Sequence, residues 1–493
     1  AKSGIISGWY RGEKRWLHYS SPRTWLKPRN HEADCFFCAV QVGHGKAITI
    51  YPDLPSSAAP KLRETGLENP IRKLPEAVLS SSTLESESVP SVAVSEYRIA
   101  EVRSPHYPNQ KEIDDLVRDL SLTKANAELL ISRLKEWELL DGDVKITTQR
   151  KRHEPYSSFF TYKDGLCFCH DVGGLFDEMG LKHEPKEWRL FIDSSSKSLK
   201  AVLLHNGNEH PSIPVAHSKL LKENYDSTKL LMDSLHYSKY CWEVIGDFKM
   251  IAFLMGLQGG FTKFPCFLCH WDSRSVTNHF SKRHWDERKE LKKGEHNVKE
   301  LALVQADKIL MPPLHIKLGL VKQFIKALDK ESAAFTYILK KFPKLSDAKI
   351  TAGVLTGPQV REMVMDAKFE KNLSSVQKAA WKSFKDICEN FLGNHKSNNY
   401  QEIVENLVKN FGKMGCRMSL KLHILDSHLD KFKENMGAYS EEHGERFHQD
   451  IRKFESRYNK QCDEAMMGDY IWNLMTSIPG TSSKRQSSRK TIN

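Results

Sequence analysis

Short apolar runs separated by turn signals predict a set of buried β-strands between residues 187 and 269. One run, residues 190–192, stops at Asp193, and another, residues 244–245, stops just before Asp247. Between them, LKAVLLHNG ends in an Asn-Gly turn signal and HPSIPVAHS can return beside it. The pattern predicts strand, hairpin partner, strand, a helix around residues 227–237, and strand. This order brings Asp193 and Asp247 to neighbouring strand ends.

Apolar residues recur at helical spacing in two other parts of the chain. Residues 111–141 predict two helices joined by a short turn, with Thr123 as the N-cap of the second and Trp137 in its apolar stripe. Such a pair fits a DNA-binding helix-turn-helix and equally an ordinary helical hairpin. Residues 312–416 are almost wholly helical in pattern. We therefore expect a large all-α block after an α/β unit.

The segment 151–186, preceded by Arg150, interleaves basic and aromatic residues and contains Cys167-x-Cys169-His170. This mixture suits a strand that contacts a DNA backbone, and a sheet edge with one aromatic face would look the same.

Length and charge limit the class of protein. A chain of 493 residues is long enough for two to four domains. Its net charge of +12 and isoelectric point near 9.0 favour an anionic partner, usually nucleic acid, although the excess charge is spread along the chain. No apolar run is long enough to span a bilayer. Ten cysteines, several in close pairs, favour metal sites in a reducing compartment over a disulfide framework.

Composition and periodicity divide the chain into seven segments. They are an N-terminal Cys/His module (1–50), a linker or extended arm (51–108), a helical and aromatic/basic DNA-contacting region (109–186), the first part of an α/β core (187–265), a zinc-binding helical insertion (266–428), a C-terminal core helix (429–475) and a basic disordered tail (476–493).

Three acidic positions suggest a cation site. Two carboxylates held close on a sheet repel each other unless a cation lies between them, and oxygen-only ligands favour Mg²⁺. Asp193 and Asp247 could instead be capping or turn residues, since Asp is common at strand exits. A helix with Ser440 as its N-cap would carry three further candidates, of which Glu441 and Glu442 would meet the helix dipole and Glu445 lies one turn further in.

Cysteine and histidine pairs suggest zinc. Cys266-x2-Cys269 is half of a chelating set, and His423-x4-His428 is the best candidate for the other half. Five helical residues place two side chains about 140° apart, so this histidine pair needs a helix end or break to converge. The alternative is two packed histidines and a solitary thiol pair. A candidate second zinc set, His31, Cys35 and Cys38, competes with simple burial of the cysteines.

The order of these parts resembles the DDE transposases with a ribonuclease-H-like core. The nearest resemblance is to the branch of Transib transposases and the catalytic subunit of the V(D)J recombinase. That pattern has an Asp ending the first strand, an Asp after the fourth, Cys-x2-Cys, a helical insertion, His-x4-His and a helix with the catalytic Glu. The matching positions are Asp193, Asp247, Cys266 with Cys269, residues 272–420, His423 with His428, and Glu445, with Glu442 as the neighbouring choice.

The resemblance covers about residues 187–470 and implies both fold and function. The implied fold is an α/β ribonuclease-H-like core, a mixed sheet flanked by helices, with a large all-α insertion, a zinc-stapled lobe and small N-terminal domains. Asp193, Asp247 and Glu445 would hold Mg²⁺ or Mn²⁺ for two-metal-ion phosphoryl transfer. The implied protein is a nuclear homodimer that cleaves double-stranded DNA at transposon ends and joins 3′-hydroxyls to target DNA. A domesticated, catalytically silent DNA-binding protein is the alternative.

Overall fold

The structure is a computed structural model that describes residues 105–195, 198–459 and 461–475 in full, and the backbone of residues 24–25 and 57–58. The chain forms two units, Ala1–Glu101 and Val102–Asn493. In the first, β1 (Thr24–Trp25) pairs antiparallel with β2 (Ser57–Ala58). The candidate zinc ligands His31, Cys35 and Cys38 and the basic tail 476–493 lie outside the described residues.

A six-stranded mixed sheet is the centre of the second unit. Its strands are β3 (Phe160–Lys163), β4 (Leu166–Cys169), β5 (Trp188–Ser195), β6 (Ser198–His205), β7 (Ile213–Ser218) and β8 (Glu243–Gly246). The spatial order is β3-β4-β7-β6-β5-β8, antiparallel throughout except for the parallel pair β5–β8. The predicted sequence of strand, hairpin partner, strand, helix and strand is confirmed.

Eighteen α-helices occur in the described part of the second unit. Those before residue 255 are α1 (Gln110–Asp119), α2 (Lys124–Glu136), α3 (Thr148–Lys151), α4 (Glu154–Ser157), α5 (Val172–Glu178), α6 (Tyr225–Ser234), α7 (Tyr237–Tyr240) and α8 (Phe248–Leu254). The helical region holds α9 (Pro313–Ala327), α10 (Ala333–Lys341), α11 (Asp347–Thr351), α12 (Gly357–Val364), α13 (Ala367–Lys371), α14 (Ser375–Asn390) and α15 (Tyr400–Met414). The last three are α16 (Leu420–Ser427), α17 (Glu442–Arg457) and α18 (Glu464–Met475).

Helices from distant parts of the chain cover the sheet. The early helices α6 and α8 pack on β4, β5 and β8, whereas the late helices α17 and α18 pack on β3, β6 and β7. Strand β5 is apolar without alternation over residues 188–192, apart from a fully buried Arg189, because both of its faces are covered.

The predicted all-α block is confirmed. Helices α9–α15 enclose an aromatic core in which Trp381 lies 5.0 Å from Phe324 and 5.1 Å from Phe369, measured between ring centroids. Helix α14 begins with a capping box in which Ser374 and Gln377 satisfy each other's backbone N–H groups. Among the described residues, no helix is both long and apolar enough to cross a bilayer.

The two predicted helices near residue 120 are present, and Thr123 caps α2 by accepting a hydrogen bond from the Asn126 N–H. Ile113, Val117, Ala127 and Ile131 form a small separate core with two residues of the following loop. Trp137 does not belong to it: α2 ends at Glu136, and the Trp137 side chain is 61% exposed. The predicted apolar stripe of α2 is therefore wrong at its last residue, because the helix ends before Trp137.

The basic and aromatic segment forms the β3–β4 hairpin at the sheet edge, preceded by α3 and α4. Arg152 in this segment is buried, and its Nε donates to Asp469 Oδ1 at 2.6 Å. Its guanidinium is therefore not available to a phosphate. This arrangement corresponds to the sheet-edge interpretation.

We expect Asp366 to make stability pH-dependent. Its carboxylate accepts hydrogen bonds from Lys341 Nζ at 2.7 Å and Tyr337 Oη at 2.8 Å. The bond from Lys341 is the main reason that the pKa of Asp366 is lowered to about 2, against the opposing effect of burial. A depressed carboxyl pKa contributes stability that is present above the ordinary value of about 3.9 and is lost as pH falls towards 2.

The melting temperature of Asp366→Asn should therefore be lower than that of wild type at pH 6, and the difference should shrink as pH falls from about 5 towards 3. Asp347→Asn, an exposed acid in the same region, is the control. A difference that does not change with pH would contradict this linkage.

Candidate functional site

Four side chains from two distant segments form a group that could hold a metal ion. Cys266 and Cys269 lie in the loop after α8, His423 lies in α16, and His428 follows its last residue. Their ligand atoms all lie within 4.8 Å of one another. Among the described residues, no other group of three or more His, Cys, Asp or Glu side chains comes this close together.

The distances in this group suit tetrahedral zinc. Cys269 Sγ lies 3.2 Å from His423 Nε2 and 3.3 Å from His428 Nε2, and Cys266 Sγ lies 3.6 Å from His428 Nε2. Ordinary Zn–S and Zn–N bonds in a tetrahedron place sulfur and nitrogen about 3.5 Å apart. The predicted helix end is present, because α16 stops at Ser427 and His428 has φ −135° and ψ 43°. The two imidazoles converge as a result.

Neighbouring side chains contact three of the four members of this group. The Trp271 ring stacks on His423, with centroids 4.6 Å apart and an angle of 7° between the ring planes. The buried Arg288 donates from Nε to the carbonyl oxygens of Cys266 at 2.8 Å and Cys269 at 3.2 Å. Such outer contacts fix the orientation of metal ligands. None of the described cysteines forms a disulfide.

The two predicted aspartates lie on neighbouring strands, as expected, although β5 continues for two residues past Asp193 and Asp247 comes directly after β8. Ile192 of β5 pairs with Gly246 of β8, so Asp193 and Asp247 occupy the next position on each of two parallel strands. Strands in a sheet are about 4.8 Å apart. Asp247 is also the N-cap of α8, and its Oδ1 accepts from the Met250 N–H at 2.7 Å. This bond occupies Oδ1 and leaves Oδ2 outside the cap.

Three alternate residues of β5 contact three positions, four residues apart, of which the first precedes α17 and the other two lie in it. Arg189 donates to the Ser440 carbonyl oxygen at 2.8 Å, Gly444 packs against the ring of Phe191, and His448 Nε2 lies 2.5 Å from Asp193 Oδ2. Two residues of a strand advance about 6.7 Å and four residues of a helix about 6 Å, so the two elements stay in step. The helix that carries Glu445 is therefore aligned along the strand that carries Asp193.

Glu445 lies in the electrostatic field of Asp193. Burial, followed by the negative charge of Asp193, raises the pKa of Glu445. Glu442 points elsewhere and receives a hydrogen bond from Arg361 at 3.2 Å. Asp193, Asp247 and Glu445 do not form a close ligand group of the Cys/His kind. Glu445 rather than Glu442 is the acid next to Asp193.

The start of α17 differs from the prediction. Ser440 is not its N-cap: the helix runs from Glu442, with Glu441 as the preceding residue. Glu441 is fully buried, and its Oε1 accepts from the backbone N–H of His315 at 2.8 Å and from Nδ1 at 3.0 Å. The N-cap of α9 is Pro312, which has no side-chain acceptor, so Glu441 caps that helix from a distant segment. This contact removes Glu441 from the dipole of α17.

Basic side chains complete the surroundings of the three acids. Lys200 Nζ donates to His448 Nδ1 at 2.6 Å, which leaves the Nε2 N–H of His448 to donate to Asp193. His315 Nε2 lies 3.8 Å from Glu445 Oε1. Burial lowers the pKa of Lys421 to about 8, although the negative charge of Asp247 acts in the opposite direction.

Two segments match known families. Residues 148–304 match a family described as a domain of unknown function (DUF8703), and residues 313–393 match a second one described in the same way (DUF8704). No curated protein matches the chain. The boundary between the matches falls just before α9, where the helical region begins.

Sequence reasoning missed Lys200, His315 and Lys421. Lys200 left a signal, since it is a single cation inside the apolar strand SLKAVLLH and is 5% exposed. His315 and Lys421 lie near the starts of α9 and α16, and no local feature marks them.

We expect the Cys/His group to hold one zinc ion per chain. Cys269→Ser should lose one zinc equivalent by elemental analysis, and the melting temperature should fall by roughly 5–10 °C. Cys416→Ser changes a buried cysteine outside the group and should keep the full zinc content. Equal zinc in both variants would show that these ligands hold none. Cys35→Ser tests the N-terminal candidate set separately.

Gly444→Ala should displace α17 from β5. A Cβ at this position would collide with the buried ring of Phe191, and overpacking of this kind costs about 1–3 kcal/mol. Gly173→Ala is the helical control, because its nearest neighbour is 3.7 Å away and the change should stabilise by up to about 1 kcal/mol. Hydrogen exchange should be faster in α17 of the Gly444 variant alone. Equal protection of α17 in both variants would contradict the close contact.

Proposed function

We propose that this protein is a DDE-type DNA transposase or recombinase with a ribonuclease-H-like core, in which Asp193, Asp247 and Glu445 are the catalytic acids. One observation carries the proposal. The first and fourth strands of the core, β5 and β8, are parallel neighbours that place Asp193 and Asp247 at adjacent positions, and α17 brings Glu445 towards Asp193. The family pattern expects these three acids in these positions.

The sheet supports the same assignment. Counted from β5, the strands follow the expected order, with an antiparallel hairpin, a third strand, a helix and a parallel fourth strand. A parallel bridge between Val244 and Ile309 adds a short segment beyond β8. The helical region then interrupts the core, and the Cys/His group brings the two ends of that region together.

The acids fit divalent cations by their chemistry. Asp193 and Glu445 are negative groups close enough for one to raise the pKa of the other, which is the repulsion that a bound cation relieves. When bound, Mg²⁺ or Mn²⁺ would lower the pKa of an attacking water or 3′-hydroxyl and stabilise the leaving 3′-oxygen.

The chain's own groups have distinct roles under this proposal. His448, held by Lys200, fixes the orientation of the Asp193 carboxylate. His315, held by Glu441, lies against Glu445. Outer partners of this kind typically change metal affinity or activity by 10- to 100-fold.

The partners follow from the same proposal. The substrate would be double-stranded DNA at transposon ends and at a target, and the chain would act as a homodimer in the nucleus. The net charge of +12 supports an anionic partner. DNA binding should weaken as salt rises, because neutralising phosphates releases counterions.

A nicking assay tests the function. Purified wild type should cut labelled duplex DNA in Mg²⁺ or Mn²⁺, and Asp193→Asn, Asp247→Asn and Glu445→Gln should each lower the rate by at least about 100-fold. Glu442→Gln is the matched control on the same helix and should stay within a few-fold of wild type. His448→Ala should lose about 10- to 100-fold.

The possible outcomes separate the alternatives. Equal nicking by wild type and Asp193→Asn would remove the catalytic assignment. DNA binding without nicking by wild type would favour a domesticated, catalytically silent DNA-binding protein. Faster cutting of RNA–DNA hybrids than of duplex DNA would indicate an RNA-directed nuclease on the same core.

A further inference from the structure

A groove of about 620 Å³ lies beside the Cys/His group, between the loop after α8 and the segment before α16. Its lining includes Phe261 and Trp271 from the first side and Arg417 from the second, with Lys326 of α9 at its edge. Among the described residues, no Asp or Glu lines it. Two cations without an opposing acid favour an anionic ligand over a cationic one.

Both cations of the groove could contact a ligand. Lys326 and Arg417 are exposed, and neither forms a side-chain hydrogen bond or ion pair with any described residue. Many other surface cations of this protein are paired, such as Lys263 with Asp272 at 3.5 Å.

Phe261 is fully exposed although its neighbours are fixed. Gly260, with φ +84°, turns the chain just before it. Thr262 is buried, and its carbonyl oxygen accepts from Ser273 Oγ at 2.6 Å. The loop is thus tied down on the Thr262 side, and the aromatic ring alone projects into solvent. Both faces of the ring are open, so a base could stack on it beside the two cations.

We propose that this groove binds an unpaired segment of DNA, with Phe261 stacked on a base and Lys326 and Arg417 against phosphates. Stacking platforms and a positive groove are the two elements by which proteins bind single-stranded nucleic acid. The inference deepens the proposed function and rests on it in taking DNA as the ligand, but it requires no cleavage. A strand opened near the candidate acids would have this groove as a second place of contact.

Two measurements on the full chain test the groove, both without added divalent cation so that cleavage does not interfere. The probe is a single-stranded DNA 20-mer with a central 2-aminopurine, whose fluorescence falls when the base stacks on an aromatic ring. Phe261→Ala should weaken binding by about 5- to 150-fold and lose the quenching, whereas Phe261→Trp should restore both. Leu301→Ala, another exposed apolar residue, should behave as wild type.

The dependence of affinity on salt separates stacking from charge. Lys326→Gln and Arg417→Gln should each reduce the slope of log K against log salt by about 0.7, and Phe261→Ala should leave it unchanged. Lys371→Gln, an exposed cation outside the groove, should not change the slope. Each variant is checked for wild-type zinc content and melting temperature.

The results distinguish this proposal from the proposed function. If Phe261→Ala binds and quenches as Leu301→Ala does while wild type still nicks duplex DNA, the groove assignment alone is overturned. If quenching depends on Phe261 but nicking does not depend on Asp193, the nuclease assignment alone fails. A loss of self-association by Phe261→Ala, with DNA binding unchanged, would assign the loop to a contact between two copies of the chain and overturn the proposal.

Discussion

The alignment of α17 along β5 is the constraint on which the candidate site depends. A glycine at residue 444 lets the helix approach the strand closely. The bond from Arg189 to Ser440 precedes this glycine, and the contact of His448 with Asp193 follows it. Two residues of a strand and four residues of a helix advance by nearly the same distance. Each turn of the helix therefore contacts the next residue on the same face of the strand. Glu445 follows the glycine directly, so its place relative to Asp193 is set by backbone packing rather than by the carboxylates themselves, which repel each other.

The Cys/His group brings together the two ends of a long segment of the chain. Cys269 and His423 are 154 positions apart, and nearly all of the helical region lies between them. Closing a loop of this length costs conformational entropy, although the cost grows slowly with length. A metal bound to both ends would provide that closure in the folded state. Glu441, which caps α9, adds a direct link between the helical region and the start of α17.

Much of the sheet could be predicted because its strands have a strong local pattern. Continuous apolar runs that stop at Asp193 and before Asp247 are a property of buried strands, and the helix end at His428 follows from the geometry of two ligands five residues apart. The start of α17 could not be predicted in the same way. Ser440 is a residue type that often serves as an N-cap. In the structure, however, Arg189 donates a hydrogen bond to its carbonyl oxygen, and the side chain of Glu441 accepts one from α9. Contacts between residues more than a hundred positions apart leave no local pattern, and this is also why His315, which binds Glu441, was missed.

The buried bond between Arg152 and Asp469 joins residues 317 positions apart, and the last helices α17 and α18 cover strands made much earlier. A ribosome therefore releases β3, β6 and β7 long before their covering helices exist. Over that interval the half-made sheet exposes apolar surface, which is a condition for aggregation and for chaperone binding. The same order of synthesis means that residue 445 reaches its acidic neighbours only after the whole helical region has been made. A partial chain would hold two of the three acids and could not assemble the proposed centre.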